Sequence, residues 1–302
     1  MTLALMIAHK EGGLSIVKTI ASPENPVIKN IRRLQHRGGR RSGGRFVLEG
    51  VKLGGEALTT CGNDLAIEQA LLSRPLVERE PGRALVARLE SRGIPWAAVD
   101  ARVFRRLSSL EAPEGLLLVA RRAVRPLESL TGGLVVVATG IRDPGNLGAV
   151  ARVAEAVDAS ALVTCRSSAD PLQSKALRGS MGSLLRLPVV DGSEPRAALH
   201  CLRENGLRLV GCLARGGEDY RKADLRAPLA LILGNESMGL EQPLLEATEL
   251  LVSIPMKETV ESLNVAVAAG LALYEALRQK TEGSREASTP QERTPPAPGS
   301  KP

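Results

Sequence analysis

Aromatic side chains are scarce in this 302-residue chain: two Phe, one Trp and two Tyr make up 2% of it. Phe46, Trp96, Phe104, Tyr220 and Tyr274 are too few and too scattered to build the platforms on which many nucleic-acid binders stack successive bases. Histidine and cysteine are nearly as sparse. Cys61, Cys165, Cys201 and Cys212 form no CxxC pair, and His9, His36 and His200 lie far apart, so neither a zinc site nor a disulfide framework has its spacing. The cysteines read as buried thiols in a reducing cytoplasm. No apolar run approaches the roughly 18 residues of a membrane helix. Met1 to Ala8 is apolar but short, with no basic segment before it, and reads as a frayed N-terminus rather than a secretory signal. GxGxxG after a first strand, GxxxxGK[ST] and GxSxG are also missing, which removes the fingerprints of a dinucleotide-binding Rossmann site, a P-loop and a hydrolase elbow.

What the chain does have is positive charge. Forty Lys+Arg against 33 Asp+Glu give +7, a balance that suits a polyanionic partner. The excess is concentrated. Between Val27 and Leu53 stand Lys29, Arg32, Arg33, Arg37, Arg40, Arg41, Arg45 and Lys52 against Glu49 alone, with Gly38-Gly39 and Gly43-Gly44 loosening the backbone. This segment is either an electrostatic groove for phosphates or a solvated basic helix face. With so few aromatics, charge and shape must carry most of any affinity for RNA.

The length suggests about two domains. Residues 1–18 form an extension. Residues 19–120 read as a small α/β domain, with strands at Phe46–Glu49 and Leu116–Ala120 and a helix at Ala84–Arg92. Arg121, Arg122, Arg125, Pro126 and Gly132-Gly133 mark a linker over 121–133. From 134 to 280, apolar runs at Leu134–Ala138, Ala161–Thr164, Leu187–Val190, Leu207–Gly211, Leu229–Leu233 and Leu250–Ile254 alternate with helical stretches. That alternation predicts an α/β domain with a mostly parallel sheet covered on both faces. Its last helix, roughly Ser262 to Lys280, is apolar nearly all round: Leu263, Val267, Leu271 and Tyr274 form one stripe, while Val265, Ala268, Leu273 and Leu277 occupy other sides. Such a helix lies deep in the domain or packs on another subunit. Residues 281–302, with five prolines, read as a disordered tail.

Three segments of the second half place glycines and polar residues at strand ends, where open α/β sheets bind ligands. The first, Gly140 to Arg152, runs through a Pro-Gly turn into a helix whose apolar face is Leu147, Val150, Ala151, Ala154 and Val157. Arg152 lies off that face and is either functional or a solvated partner of Glu155 at i,i+3. The second, Leu233 to Leu240, holds Gly234 and Gly239, which would allow close backbone approach to a ligand or simply form a turn. In the third, Ile254-Pro255-Met256 leads to Glu261-Ser262-Leu263-Asn264, where Ser262 can cap the last helix and Asn264 can satisfy backbone groups.

Taken together, Asp143-Pro144-x-Asn146-x-Gly148-Ala149-x-x-Arg152, Gly234-Asn235-Glu236-x-x-Gly239-Leu240 and Ile254-Pro255-Met256…Ser262-Leu263-Asn264-Val265-Ala266 resemble the three signature motifs of the SpoU (TrmH) family of RNA ribose 2′-O-methyltransferases. Arg178-Gly179-Ser180-Met181-Gly182-Ser183…Leu187-Pro188-Val189 is also similar, with Met181 and Ser183 where the family often has alanines. Ser22-Pro23-x-Asn25-Pro26-x-Ile28-Lys29 and Phe46-Val47-Leu48-Glu49-Gly50 resemble the L30e-like substrate-binding domain attached to many such enzymes. The resemblance covers about residues 19–280.

It implies a deep trefoil knot in the parallel α/β domain, a feature that chain physics alone would not propose. It implies S-adenosylmethionine held in the knot largely by backbone groups, at Gly234, Ile254 and Leu263, with Gly239 and Ser262 beside them. Arg152 is implied to deprotonate the ribose hydroxyl or stabilise its alkoxide; a guanidinium is ordinarily a fixed cation, so the choice stays open. Asn146 would position the ribose or phosphate, Glu236 would hold the loops or orient the substrate, and Asn264 would shape the third loop. No metal is needed. The implied partners are structured RNA, first 23S ribosomal RNA, and a second copy of the chain, with the basic residues of 29–45 on the RNA. A tRNA ribose methyltransferase is the alternative within the class. A non-catalytic RNA-binding assembly factor is disfavoured by the joint presence of Asn146, Arg152, Glu236 and Asn264, and an oxidoreductase by the missing glycine fingerprint.

Overall fold

The computed structural model describes the main chain of residues 19–36, 40, 44–62 and 64–288. The expected extension 1–18, Arg37, Arg41 and residues 289–302 lie outside the described residues.

Asn25 opens the first helix. Its Oδ1 accepts from the Val27 N–H at 2.9 Å, and Pro26 brings a φ already suited to the first turn, giving α1 (Pro26–Gln35). Ile28, Ile31 and Leu34 bury one face; Lys29 and Arg33 stay exposed and Arg32 is half-buried. Then follow β1 (Arg45–Glu49), α2 (Val51–Thr60), β2 (Leu65–Ser73), α3 (Arg74–Val77), α4 (Gly82–Glu90), β3 (Trp96–Val99), α5 (Ala101–Leu107) and β4 (Leu116–Arg122). The strands order as β1-β4-β2-β3, with β4 antiparallel to β1 and β2, and β3 parallel to β2. Helices cover both faces: α1 and α5 close on Val47, Leu71, Leu117 and Val119, while α2 and α4 close on Phe46, Leu72, Leu116 and Leu118. The sequence reading misses β2 and β3. In β2, Glu68 and Gln69 interrupt the apolar alternation where the register slips between Ile67 and Gln69.

After a short 3-10 turn at Leu127–Ser129 come β5 (Leu134–Ala138), α6 (Pro144–Ala156), β6 (Ala161–Cys165), α7 (Ser174–Gly179), α8 (Ser183–Arg186), β7 (Val189–Ser193), α9 (Pro195–Glu204), β8 (Arg208–Leu213), β9 (Glu218–Asp219), β10 (Leu229–Leu233), α10 (Gln242–Leu245), β11 (Leu250–Ser253) and α11 (Val265–Ser288). They build a seven-stranded sheet, order β7-β6-β5-β10-β8-β11-β9, with every pair parallel. The central strands β5 and β10 are apolar and buried along their whole length because both faces are covered. Val136 and Ala138 face α6 and α11, whereas Val135 and Val137 face α9. The expected mostly parallel α/β sheet is present.

Three boundaries move. β4 runs through Arg122, two residues into the expected linker. The last helix continues through Ser288, where a disordered tail is expected from 281. It starts at Val265 because Asn264, not Ser262, caps it: Asn264 Oδ1 accepts from the Ala266 N–H at 2.9 Å, and Ser262 is exposed. The cysteine expectation also needs correcting. Only Cys165 is fully buried, its thiol pushed up to about 12 by desolvation, while Cys61, Cys201 and Cys212 are half-buried free thiols.

The two sheets share a joint. One buried apolar cluster runs from Phe46 and Leu58 to Leu177 and Leu184. Arg40 Nε meets Asp170 Oδ2 at 2.7 Å with both side chains under a tenth exposed. Arg122, pulled down to about 10 by burial, donates to the Leu184 and Leu187 carbonyls. Arg186 bridges Glu56 of the first domain and Glu155 of the second.

Candidate active site

The second domain's chain runs outward from β5 to β6 and β7, then returns to place β10 beside β5. Adjacent strands whose connections leave in opposite directions open a crevice at their carboxyl ends. Leu233 pairs with Ala138, so the loops after β5 and β10 start abreast. They are stitched together: the Thr139 N–H donates to Leu233 O at 2.8 Å, and Asn235 Nδ2 donates to Gly140 O at 2.8 Å.

The first loop ends at Asp143, whose carboxylate accepts from the Asn146 N–H at 3.0 Å and caps α6, with Pro144 in the first turn. Lys175 Nζ at 2.6 Å, followed by that backbone N–H, holds the Asp143 carboxyl below the ordinary aspartate range. Gly148 faces α7 so closely that a Cβ there would lie 2.4 Å from Ala176 O and 2.8 Å from Ser180 N. The motif glycine is therefore a helix-contact residue, a role that sequence reading left unassigned.

The second loop is closed on itself. Asn235 and Gly239 exchange backbone hydrogen bonds at 2.9 Å, and Asn235 Oδ1 accepts from the Ser237 and Met238 N–H groups. Gly239 takes φ +68°, the left-handed region. A Cβ on Gly234 would sit 2.4 Å from the Gly239 carbonyl, so its own loop already requires glycine at 234.

The three loops meet in a chain of hydrogen bonds. Asn146 Nδ2 donates to Glu236 Oε1 at 3.1 Å, and Asn264 Nδ2 donates to Asn146 Oδ1 at 3.0 Å. The Arg142 N–H points at Glu236 Oε2 at 3.4 Å. Each amide in this chain both donates and accepts, so Asn146 is fixed in one orientation. Residues 90 and 118 positions from Asn146 in sequence thus lock its head group.

Arg152, one and a half turns further along α6, is exposed and has no hydrogen-bond or ion-pair partner among the described residues. The expected pairing with Glu155 does not occur, because Glu155 is taken by Arg186 at 2.5 Å. Ile254 and Leu263 are half-buried on the third loop, and no hydrogen bond among the described residues uses their main-chain N–H or C=O groups. Partly buried backbone groups left free fit a ligand recognised through the main chain. Gly234, Gly239, Ile254, Leu263 and Ser262 remain candidates for a cofactor.

In the basic segment the described residues separate. Arg40 is buried on Asp170 and also donates to Leu34 O and Gln35 O, so it closes the C-terminal end of α1 and does not face RNA; this corrects its assignment. Lys29 pairs with Glu24 and Arg45 with Glu68, while both stay solvent-exposed; Arg33 is exposed as well. No group of His, Cys, Asp and Glu that could hold a metal ion exists among the described residues.

The model of the SpoU rRNA methylase family matches residues 133–274, and that of the MRM3-like substrate binding domain matches 25–118. The chain belongs to the SpoU rRNA methylase family. It is 31% identical to the 23S rRNA (guanosine(2553)-2′-O)-methyltransferase RlmP of Bacillus subtilis over 85% of this chain and 98% of that protein. An AdoMet-bound rRNA methyltransferase from Sinorhizobium meliloti superimposes with a TM-score of 0.75 at 30% identity, covering 87% of this chain and 98% of that one. A structure described as an RNA 2′-O ribose methyltransferase is 34% identical, with a TM-score of 0.71 over 87% and 100% of the two chains.

Proposed function

We propose that this chain methylates the 2′-hydroxyl of a ribose in structured RNA, using S-adenosylmethionine, and that 23S ribosomal RNA is the substrate. The observation that carries the reading is the Glu236–Asn146–Asn264 chain, which joins all three motif loops at the switch point of the parallel sheet, with Asn146 on the helix that also carries Arg152, a cation with no partner among the described residues. The 23S assignment rests on the named activity of the Bacillus subtilis relative. The free main-chain groups of Ile254 and Leu263 would hold the cofactor, which supplies a methyl group activated on a sulfonium.

Asn146 presents its amide to the ribose or its phosphate in an orientation set by Glu236 and Asn264. The exposed Arg152 guanidinium serves as a cation that stabilises the ribose oxygen as its proton departs to solvent or a neighbouring phosphate. Alignment supplies much of the acceleration. A second copy of the chain completes the enzyme. Val267, Leu271 and Tyr274 of α11 are 53%, 38% and 54% exposed, and with Tyr220, Gly270 and Glu275 they line a shallow, mostly apolar hollow of about 420 Å³. α11 packs against α6, the helix that carries Asn146 and Arg152, so a partner seated on this stripe would lie one helix away from the site. The trefoil knot belongs to this reading, supported by the insertion of β10 between β5 and β8. So does a cytoplasmic location, which suits four free thiols.

The test is transfer of labelled methyl from S-adenosylmethionine to RNA from cells lacking this protein, with wild type and Arg152→Ala side by side. Alkali-stable label in 23S RNA, absent with the variant, is the expected result. Label in tRNA overturns the substrate, and no label on naked RNA or ribosomal subunits overturns the activity in favour of an assembly factor.

A further inference from the structure

We propose that a second cleft, between Arg142 and the loop after β6, seats the phosphate backbone of the nucleotide flanking the target ribose, with Arg142 as a positioning residue. This rests on the RNA-methylation reading and adds a subsite to it. The cleft, about 340 Å³, is lined by Arg142, Ser167, Ser168, Ala169, Asp170 and Gln173. That volume falls at the low end of the roughly 300–1,000 Å³ of small-ligand sites, enough for one sugar-phosphate unit.

Its position, rigidity and charge support this occupant. The cleft opens at the carboxyl ends of β5 and β6, next to the switch point. Ser168 Oγ donates to Ala138 O at 2.9 Å and the Ala169 N–H donates to Ile141 O at 2.8 Å, so its far wall is tied to the strand end that carries the first motif. The Arg142 N–H reaches Glu236, which places the residue one contact from the amide of Asn146. The Arg142 side chain is exposed and has no hydrogen-bond or ion-pair partner among the described residues. The one carboxylate in the lining, Asp170, is 6% exposed and neutralised by Arg40, while its other oxygen accepts from the Leu172 N–H at 2.8 Å. A guanidinium with no partner among the described residues, in a lining whose one carboxylate is matched by Arg40, suits an anion, while Glu236 outside the lining is held by the Asn146 amide and the Arg142 N–H. Arg40 also closes the end of α1, so the same ion pair fixes the cleft to the basic helix of the first domain. An RNA strand passing from α1 to Asn146 would cross this cleft.

The experiment compares full-length wild type, Arg142→Ala, Arg142→Lys and Gln173→Glu in methyl transfer to deproteinised 23S RNA and in filter binding of the same RNA, across a salt series. Arg142→Ala should raise KM and Kd for RNA about tenfold and lower the slope of log affinity against log salt by about one, the signature of one lost phosphate contact. Arg142→Lys should recover part of the loss, and Gln173→Glu, which adds a carboxylate to the wall, should reproduce it. S-adenosylmethionine affinity should be unchanged in all three. Unchanged RNA affinity and salt slope in Arg142→Ala would overturn the proposal. So would a fall in kcat with KM unmoved, or a loss of cofactor binding, since both place Arg142 elsewhere. If wild type labels no RNA, the methylation reading fails, and the binding arm still decides whether the cleft holds a phosphate.

Discussion

Two regions of this molecule concentrate polar and charged residues, and they use them differently. In the basic segment of the first domain, half of the described cations are paired with an acid, Arg40 on Asp170, Arg45 on Glu68 and Lys29 on Glu24, and only the first of these pairs is buried. At the carboxyl end of the parallel sheet, uncharged amides carry the structure, and Arg142 and Arg152 remain free of partners among the described residues. A count of charges along a sequence therefore locates a polyanion site poorly. What matters is which cations the fold leaves without an acid, and at the motif loops Glu155 and Asp170 are drawn off by Arg186 and Arg40.

The comparison can be broken most severely at Arg152. Arg152→Ala should lower methyl transfer by about 100-fold or more, the scale of a lost charge-stabilising group, with S-adenosylmethionine affinity and the circular dichroism spectrum unchanged. Loss of cofactor binding would make Arg152 structural, like Arg40. The converse test lies at the joint. Asp170→Ala leaves Arg40 buried without a counter-charge and should cost about 3–5 kcal/mol in urea unfolding, while Arg40→Met with Asp170→Leu should recover most of it. A loss below 1 kcal/mol would mean that Arg40 is as free as Arg152.

Smaller effects sharpen the contrast. A double-mutant cycle of Asn146→Ala and Asn264→Ala on kcat/KM should show coupling of about 1 kcal/mol, since one amide orients the other; strict additivity would dissolve the network. Gly148→Ala should destabilise by roughly 1–3 kcal/mol through overpacking against Ala176 and Ser180. The smallest effect is at Asp143, held below its usual 3.8 by Lys175 and the Asn146 N–H. A carboxyl with a depressed folded pKa stabilises above its unfolded value and loses that contribution as pH falls through the folded one. Lys175→Met should therefore be less stable than wild type by under about 1 kcal/mol near pH 6, with the gap closing below pH 4. A gap that persists in acid would assign Lys175 a role other than the ion pair.

The parallel strands were legible in the sequence because a strand buried on both faces is apolar throughout, and β5 and β10 match their expected ranges residue for residue. The three motif loops were legible because glycine, proline and amide residues cluster where strands end. Strand β2 was not, since a bulge and interior polar residues erase the period of two, and β3 was not because it is only four residues long. The pattern of α11 left open whether its apolar stripe is core or contact; the fold buries Val265, Ala269, Ala272 and Leu273 and leaves Val267, Leu271 and Tyr274 outside.

The sequence by itself determined the parallel α/β class of the second domain and the three loops where its polar groups gather, because these follow from local periodicity and residue chemistry, while the resemblance of those loops to the family's motifs singled out the groups at the site. Only the tertiary structure decided that Asn264 and Glu236 converge on Asn146, that Asn264 caps the helix in place of Ser262, and that Arg40 is spent while Arg142 and Arg152 are not. These depend on which distant groups share a few ångströms, and charge pairing and amide orientation are settled there and nowhere along the chain.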